Sequence, residues 1–443
     1  MVDCSTKKKK KDILPLVAPD TSVTNTGSGS IATVAIPTFS PAAGLYTTAQ
    51  NISIISSTSG ANIYYTIDGS TPTTSSTVYS STVHIWLLAG KTIKAFATKS
   101  GMTDSGALSG IFSYPPIKTG QTSCYDGANN PIACSVTYKG QDAQESQGIV
   151  RSYTGPTAHA TYTNDYTTTD YVTGLVWKSC LQGLSGATCA TGSVAILTWA
   201  NAEADATNGC SALNLANSSN GYAGKKNWRL PTIQELSTIA DMGKTSAPTI
   251  DATSFPNTAL LDSWSSTTNA LNTANAFSVN VSDTNVTSYG KTTTARVRCV
   301  AGSQKDETKN YTDNGDGTVK DNGTGLIWQK CSGGLNNDTS CSGTASTYTW
   351  ANAHTYCNSL SLASKAWRLP NRNELQGIVD YTKATLPTID VTAFPNTQSN
   401  LYWSSTTNAL TTANASYVGF NSGGVLNSAK TTATYNVRCV SGP

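Results

Sequence analysis

The sequence predicts three folded units: a small all-β sandwich followed by two copies of one disulfide-stabilised α+β domain. The main observation is an internal repeat within the 443 residues. Trp-Arg-Leu-Pro at 228–231 recurs at 367–370, and Trp-Ser-Ser-Thr-Thr-Asn-Ala at 264–270 recurs at 403–409. Cysteines recur with these motifs, and β-rich runs separated by Gly and Pro precede them. The repeat is far longer than the roughly 20–50 residues of a solenoid unit, so it indicates a duplicated globular domain.

These features divide the chain into four segments. We assign an N-terminal stalk to 1–32, the β-sandwich to 33–115, the first copy to 116–303 and the second copy to 304–443. Three folded units suit a chain of this length.

The charge distribution argues against a nucleic-acid partner. Only 12% of the residues are charged, and the net charge is +3. When the lysine run at 7–11 is set aside together with Asp3 and Asp12, the remaining basic and acidic residues are equal in number. Nucleic-acid binding needs a basic stripe, so we expect no nucleic-acid partner.

The first residues predict a lipid-anchored stalk. Cys4 is the odd cysteine, and it is followed by Ser5, Thr6, the lysine run and a polar tether. This order resembles the start of a mature bacterial lipoprotein, although Asp3 stands where a small residue is usual. We therefore expect Cys4 to carry the lipid that attaches the protein to the bacterial outer membrane. The alternative is an incidental free thiol.

Three alternating runs predict the β-sandwich. They span 51–56, 61–66 and 92–97, with turn residues between them. The segments 63–72 and 91–101 resemble the chitobiase/β-hexosaminidase C-terminal domain. The resemblance implies a non-catalytic, immunoglobulin-like accessory module. Asp68, within Asp-Gly-Ser-Thr-Pro, is interpreted as a turn residue.

Each copy is predicted to contain two helices and a group of short strands. The first helix starts at Trp199 and Trp350, and the second follows the Pro of each Trp-Arg-Leu-Pro motif. Capping-box spacing relates Thr232 to Glu235 and Asn371 to Glu374. We expect the same glutamates to form architectural ion pairs with Arg229 and Arg368. Strands are expected at 276–281 and 416–420.

Ten of the eleven cysteines are expected to form disulfides. Sequence alone does not fix their connectivity, but the matching layout of the two copies narrows the choice. The predicted bridges are Cys124–Cys134, Cys180–Cys189, Cys210–Cys299, Cys331–Cys341 and Cys357–Cys439. Zinc binding is disfavoured, because the pairs lack zinc-site spacing and the three histidines (His84, His159, His354) are scattered. Structural disulfides indicate an exported, extracellular protein.

The sequence shows no nucleophile–base arrangement and no phosphate loop, so we expect neither catalysis nor a cofactor. The segment from Asp313 to Gly317 has the composition of a calcium loop. It lacks the downstream acidic ligand of an EF-hand, and hairpin turns use the same residues. No metal site is therefore predicted.

Residues 116 onward resemble the Lcl C-terminal domain family. In the first copy the resemblance rests on the motifs at 118–122, 173–177, 228–232, 235–236, 264–266 and 297–300. In the second copy it rests on those at 316–319, 324–328, 367–370, 374–375, 403–405 and 437–440. The resemblance implies C-type-lectin-like α+β domains in surface proteins that bind glycans or host polymers.

In C-type-lectin-like domains the stretch before the last strand carries the ligand-facing loops, so we place the candidate ligand residues there. They are Asn269, Asn275, Asp283, Asn285, Tyr289, Asn408, Asn414, Tyr417, Asn421 and Asn427. Asn, Ser and Tyr provide hydrogen bonds and stacking at small entropic cost. The alternative is that these are solvated loop residues.

Together these features predict a bacterial cell-surface protein that recognises a glycan or a host extracellular protein without catalysis. The family resemblance suggests sulfated glycosaminoglycans, but a neutral body lacks the field that attracts polyanions, so neutral glycans and proteins are equally open. Two alternatives are a diversified ligand-binding receptor of a diversity-generating retroelement and a purely structural envelope lipoprotein.

Overall fold

The computed structural model describes residues 31–80, 82–85, 90–126, 129–134, 139–302 and 309–442. Within these ranges the protein is multidomain and mostly β, with several sheets. None of the helices described is both long and apolar enough to cross a bilayer. Cys4 and the lysine run lie outside the described residues.

The N-terminal unit is a sandwich of two sheets. Its strands are β1 (Thr38–Ser40), β2 (Gly44–Leu45), β3 (Gln50–Ile55), β4 (Asn62–Thr66), β5 (Thr77–Val78), β6 (Val83–Ile85), β7 (Lys91–Thr98) and β8 (Leu108–Ser113). One sheet has the order β1-β3-β6 and the other β2-β8-β7-β4-β5. Alternate residues of β7 are fully buried, as expected for a strand with one face on a core. The three predicted runs correspond to β3, β4 and β7, which confirms them.

A short segment, residues 117–145, connects the sandwich to the strands of the first copy, and we call it the cap segment. The structure describes it except for 127–128 and 135–138. Its elements are β9 (Cys124–Tyr125), β10 (Pro131–Ile132) and α1 (Asp142–Glu145). The two strands pair antiparallel, and the Cys124–Cys134 disulfide closes the hairpin.

The first copy then folds as a mixture of short strands and helices. Its strands are β11 (Tyr153–Ala158), β12 (Tyr166–Asp170), β13 (Val176–Lys178), β14 (Leu184–Ser185), β15 (Thr191–Gly192), β16 (Ile196–Thr198), β17 (Trp228–Arg229), β18 (Asp262–Thr268), β19 (Asn275–Asn280), β20 (Val286–Gly290), β21 (Thr294–Arg296) and β22 (Val300–Ala301). Its α-helices are α2 (Trp199–Ala204), α3 (Ala216–Ser219) and α4 (Ile233–Thr238), and 3-10 helices span Cys210–Leu215 and Tyr222–Gly224.

The second copy repeats this plan with fewer elements. Its strands are β23 (Tyr311–Asp313), β24 (Thr318–Asp321), β25 (Ile327–Gln329), β26 (Leu401–Thr407), β27 (Asn414–Gly419), β28 (Val425–Ala429) and β29 (Val440–Ser441). Its helices are α5 (Trp350–Ser359) and α6 (Arg372–Gly377).

The local predictions for the copies are confirmed. Helices begin at Trp199 and Trp350, and both capping boxes are complete, with Thr232 and Asn371 as N-caps. All five predicted disulfides are present. In each copy one long-range bridge joins a cysteine in a helix, Cys210 or Cys357, to the cysteine directly before the last strand, so it ties distant parts of the domain together.

The two copies share one eight-stranded sheet, with the order β16-β21-β18-β19-β20-β28-β27-β26. The halves meet where β20 of the first copy pairs antiparallel with β28 of the second, through Val286 and Val425. Each valine is fully buried, and the two occupy the same position in the repeat. We call this junction the seam.

Equivalent residues also meet beside the seam. The Nε2 atom of Gln376 lies 3.1 Å from the hydroxyl of Ser237, its counterpart in the first copy. Contacts between equivalent residues are the mark of an isologous, two-fold arrangement. The duplication has therefore built an internal pseudo-dimer within one chain.

The pseudo-symmetry is broken beside the seam by one aromatic contact. Phe277 and Tyr381 stack edge to face across the seam with ring centres 4.9 Å apart. Their counterparts, Ser416 and Met242, are smaller and line a small pocket on the other side. An aromatic contact on one side of the seam thus corresponds to a small pocket on the other side.

The sandwich is attached to the second copy. The hydroxyl of Ser113 donates to the carbonyl of Asn322 at 2.6 Å, and the amide of Tyr114 donates to the carbonyl of Gly323 at 3.0 Å. The end of β8 therefore fixes the sandwich beside the β24–β25 turn.

Candidate functional site

Four half-buried tyrosines form a continuous row on the second copy: Tyr356, Tyr348, Tyr435 and Tyr417. The rings of Tyr348 and Tyr356 are 5.0 Å apart, as are those of Tyr417 and Tyr435. Tyr348 and Tyr435 exchange two backbone hydrogen bonds, of 2.8 and 3.0 Å. Residues paired in this way carry their side chains on the same face of the sheet, so the two ring pairs are contiguous. We call these four residues the tyrosine row.

Buried groups beneath the tyrosine row hold it in place. The fully buried Trp403 packs against Tyr435 with ring centres 4.5 Å apart, and its indole N–H donates to the carbonyl of Tyr348 at 2.8 Å. A β-carbon on Gly333 would lie only 3.1 and 3.2 Å from the rings of Tyr356 and Tyr348. The absence of a side chain at Gly333 lets both rings lie close to the backbone.

The hydroxyls of the tyrosine row fall into two classes. That of Tyr356 accepts from Gln329 Nε2 at 2.9 Å, and that of Tyr435 donates to the Ser428 hydroxyl at 2.9 Å. Those of Tyr348 and Tyr417 have no hydrogen-bond partner in the described part of the chain, which leaves them available to a ligand. Burial raises the pKa of Tyr356 and of Tyr417, so both phenols remain neutral at physiological pH.

The tyrosine row belongs to the second copy alone. The positions of Tyr348, Tyr417 and Tyr435 hold Leu197, Ser278 and Ala295 in the first copy, as the matching strand pairs of the two domains show. The supporting tryptophan is present in both, as Trp264 and Trp403. The framework is therefore shared, while the aromatic surface is specific to one copy.

Three of the sequence-predicted ligand residues lie in the seam, where they contact one another. Asn427 Nδ2 donates to Asn285 Oδ1 at 2.9 Å and to the carbonyl of Asp283 at 3.3 Å. Asn285 Nδ2 in turn donates to the Asp283 carboxylate at 2.6 Å. Burial raises the pKa of Asp283. These side chains connect the two copies.

Four of the predicted asparagines shape one turn in each copy. The backbone N–H of Asn269 donates to the backbone carbonyl of Asn275 at 3.0 Å. The backbone N–H of Asn408 donates in the same way to the carbonyl of Asn414 at 2.9 Å. The side-chain oxygens of Asn269 and Asn408 accept from the backbone two residues on, as in Asx-turns. These contacts give the asparagines a structural role in the β18–β19 and β26–β27 connections.

The remaining predicted ligand residues are dispersed. Tyr289 is 42% exposed on β20, and Asn421 is exposed in the turn before β28. Only Tyr417 belongs to the tyrosine row. Sequence reasoning missed Tyr348, Tyr356 and Tyr435, although comparing the copies position by position would have shown Tyr348 and Tyr435 in place of Leu197 and Ala295.

The calcium-like segment forms the turn between β23 and β24. The Asp313 carboxylate pairs with the Lys330 ammonium at 2.7 Å, which lowers the pKa of Asp313, and the Asp316 carboxylate accepts from Thr318. Within the described ranges no three His, Cys, Asp or Glu side chains are grouped so that they could hold a metal ion.

The arginine–glutamate pairs are structural ion pairs, as predicted. Arg229 lies 2.7 Å from Glu235 and Arg368 lies 2.6 Å from Glu374, and both carboxylates also complete the capping boxes.

Comparison with known families gives two matches. The Lcl C-terminal domain matches residues 166–301 and 317–441, so the two matches fall on the two copies. The chitobiase/beta-hexosaminidase C-terminal domain matches residues 41–109, within the sandwich. A search of curated proteins finds no match to the chain.

Proposed function

The chain belongs to the Lcl C-terminal domain family, and on that premise we propose that it is a non-catalytic bacterial surface protein whose tyrosine row binds a neutral carbohydrate. The family suggests a surface-binding or adhesin-like role, and five disulfides fit an extracellular or cell-surface protein. The sugar ligand, the lipid anchor at Cys4, the outer membrane as its location and the C-type-lectin-like character of the two copies are parts of this proposal.

The chemistry of the tyrosine row supports a sugar ligand. Tyrosine offers a large, rigid, amphipathic surface at low cost in conformational entropy. Its ring can pack against the C–H face of a pyranose, while its hydroxyl bonds the ring's substituents. Tyr348 and Tyr417 provide such rings together with hydroxyls that have no partner within the described residues.

The absence of charge in the row favours a neutral sugar over a sulfated one. Its four tyrosines and their hydrogen-bonding neighbours, Gln329 and Ser428, are all uncharged. Recognition of a polyanion would require arginine or lysine at the contact surface. We therefore place neutral glycans ahead of glycosaminoglycans and of a protein ligand.

A glycan array probed with the oxidised full chain tests this proposal. The array should carry neutral and sulfated glycans and be read at low and at high salt. The proposal requires saturable binding to neutral glycans that salt leaves unchanged. Binding confined to sulfated glycans and lost in high salt would contradict it, and so would a blank array from correctly folded protein.

A further inference from the structure

The two copies present one equivalent face that is covered in the second copy and open in the first. In the second copy this face contains Trp350, Thr406, Thr407 and Lys430, all fully buried. Their counterparts in the first copy, Trp199, Thr267, Thr268 and Lys291, are only half-buried. We call the latter four residues the open face.

The cap segment covers the second copy's face, and it does so through a carboxylate. Asp142 Oδ2 accepts from the hydroxyl of Thr406 at 2.5 Å and from that of Thr119 at 2.6 Å. Gln121 Nε2 donates to the carbonyl of Thr407 at 2.8 Å, and the cap's Lys139 carbonyl accepts from Asn358 at 2.7 Å. An aspartate at the start of α1, within a folded segment of the same chain, is thus bound to this face.

The cap segment also complements the face in charge. The ring of Tyr125 lies 5.3 Å from the Lys430 ammonium, and the Asp126 carboxylate attracts the same lysine. Glu145 of the cap likewise attracts Arg368. Three acidic side chains of the cap, of Asp126, Asp142 and Glu145, therefore lie near basic and hydroxyl groups of the face.

The open face keeps the lysine–tryptophan contact and the threonine hydroxyl. The Lys291 ammonium lies 4.1 Å from the ring of Trp199, as Lys430 lies 4.3 Å from the ring of Trp350. The Thr267 oxygen accepts from the backbone of Ile233, as the Thr406 oxygen accepts from the backbone of Arg372, so in both copies the hydroxyl can still donate to another group. In the described chain Thr267 has no acceptor corresponding to Asp142.

We propose that the open face binds a peptide segment of a partner protein that carries Asp or Glu carboxylates. One carboxylate accepts from the Thr267 hydroxyl in the place that Asp142 takes on Thr406, and the peptide's other acidic groups lie near Lys291. The bound cap is the template for this interaction. The proposal is independent of carbohydrate binding, since the open face and the tyrosine row share no residue.

A peptide spanning residues 117–149, closed by its own disulfide and labelled with a fluorophore, provides the probe. Its anisotropy is followed on titration with the oxidised full chain. Saturable binding is expected, with at least a tenfold loss for Thr267→Val and for Lys291→Ala, and a similar loss when the peptide carries Asp142→Asn. Lys99→Ala, on the sandwich, is the matched control and should leave binding unchanged.

Three results would overturn the proposal. One is no saturable binding at millimolar peptide, and another is binding that neither Thr267→Val nor Lys291→Ala weakens. The third is binding that Thr406→Val abolishes while Thr267→Val does not, because the peptide would then be displacing the internal cap. Tyr417→Ser should not affect this titration, which separates it from the test of the tyrosine row.

Discussion

Val286 and Val425 occupy the same position in the two copies and pair with each other at the centre of the shared sheet. Each would be on an exposed sheet edge if its copy stood alone, and unpaired edges invite association with other chains. The seam closes both edges within one molecule. It also joins the second copy, which carries the tyrosine row, to the first copy, which carries the open face.

Phe277→Ser tests the aromatic contact across the seam. The substitution introduces the residue that the second copy carries at this position, removes the stacking on Tyr381 and leaves a cavity. Loss of a buried phenylalanine side chain costs about 3–5 kcal/mol, so urea unfolding should show a decrease of that size. Tyr289→Ser, at an exposed site on β20, is the control and should cost less than about 1 kcal/mol. Equal effects from both would contradict the assigned packing.

Removal of the disulfides should have unequal effects. Cys210 and Cys299 are separated by 89 residues, whereas Cys180 and Cys189 are separated by nine. In the chain-entropy account the bridge that closes the longer loop stabilises the folded domain more, by about 4–5 kcal/mol against roughly 2–3 kcal/mol for the shorter loop. Paired Cys→Ser variants compared by urea unfolding should reproduce this order. A larger loss for the short loop would show that chain entropy does not dominate here.

The two arginine–glutamate pairs should respond differently to Glu→Gln. The Arg368 side chain is 8% exposed, whereas that of Arg229 is 19% exposed. Breaking a buried pair leaves an uncompensated charge and costs about 3–5 kcal/mol. We expect Glu374→Gln to approach this range and Glu235→Gln to cost less, measured as free energies of unfolding. The reverse order would contradict the burial difference.

Asp142 should make attachment of the cap pH-dependent. Burial raises its pKa from 3.8 to about 6, although the Thr119 and Thr406 hydroxyls oppose the shift. Because the folded pKa exceeds the unfolded one, this group's contribution to stability is full below pH 3.8 and is lost as the pH rises through about 6. Relative to the Asp142→Asn variant, the free energy of unfolding of the wild type should fall by up to roughly 3 kcal/mol between pH 4 and pH 7. Melting curves of both proteins at pH 4 and pH 7 measure this change. A stability difference between wild type and variant that is the same at both pH values would contradict the prediction.

Local features of the fold could be predicted from the sequence, because neighbouring residues determine them. Thr232 and Glu235 are three residues apart, and a capping box needs only that spacing. Cysteine pairing is a long-range property, but the repeat supplied two matching layouts that constrained it.

The candidate site was predicted only in part, because it depends on contacts between distant segments. The sequence predicts Asn285 and Asn427 as ligand-binding residues, with solvated loop residues as the alternative, yet β20 and β28 pair and bring the two side chains into contact. A half-buried strand looks the same in sequence whether its edge is free or joined to another copy. Tyr348 and Tyr435 are likewise paired across 87 positions, and no local pattern indicates that they are neighbours.

The measurement that tests the central claim most directly is a titration of the best neutral glycan from the array against wild type and two variants. Tyr417→Ser and Tyr348→Leu each restore the first copy's residue, and Tyr289→Ser is the control outside the row. The account predicts that each row variant weakens binding at least tenfold while melting temperatures and control affinity are unchanged. Undiminished affinity in both row variants would contradict it.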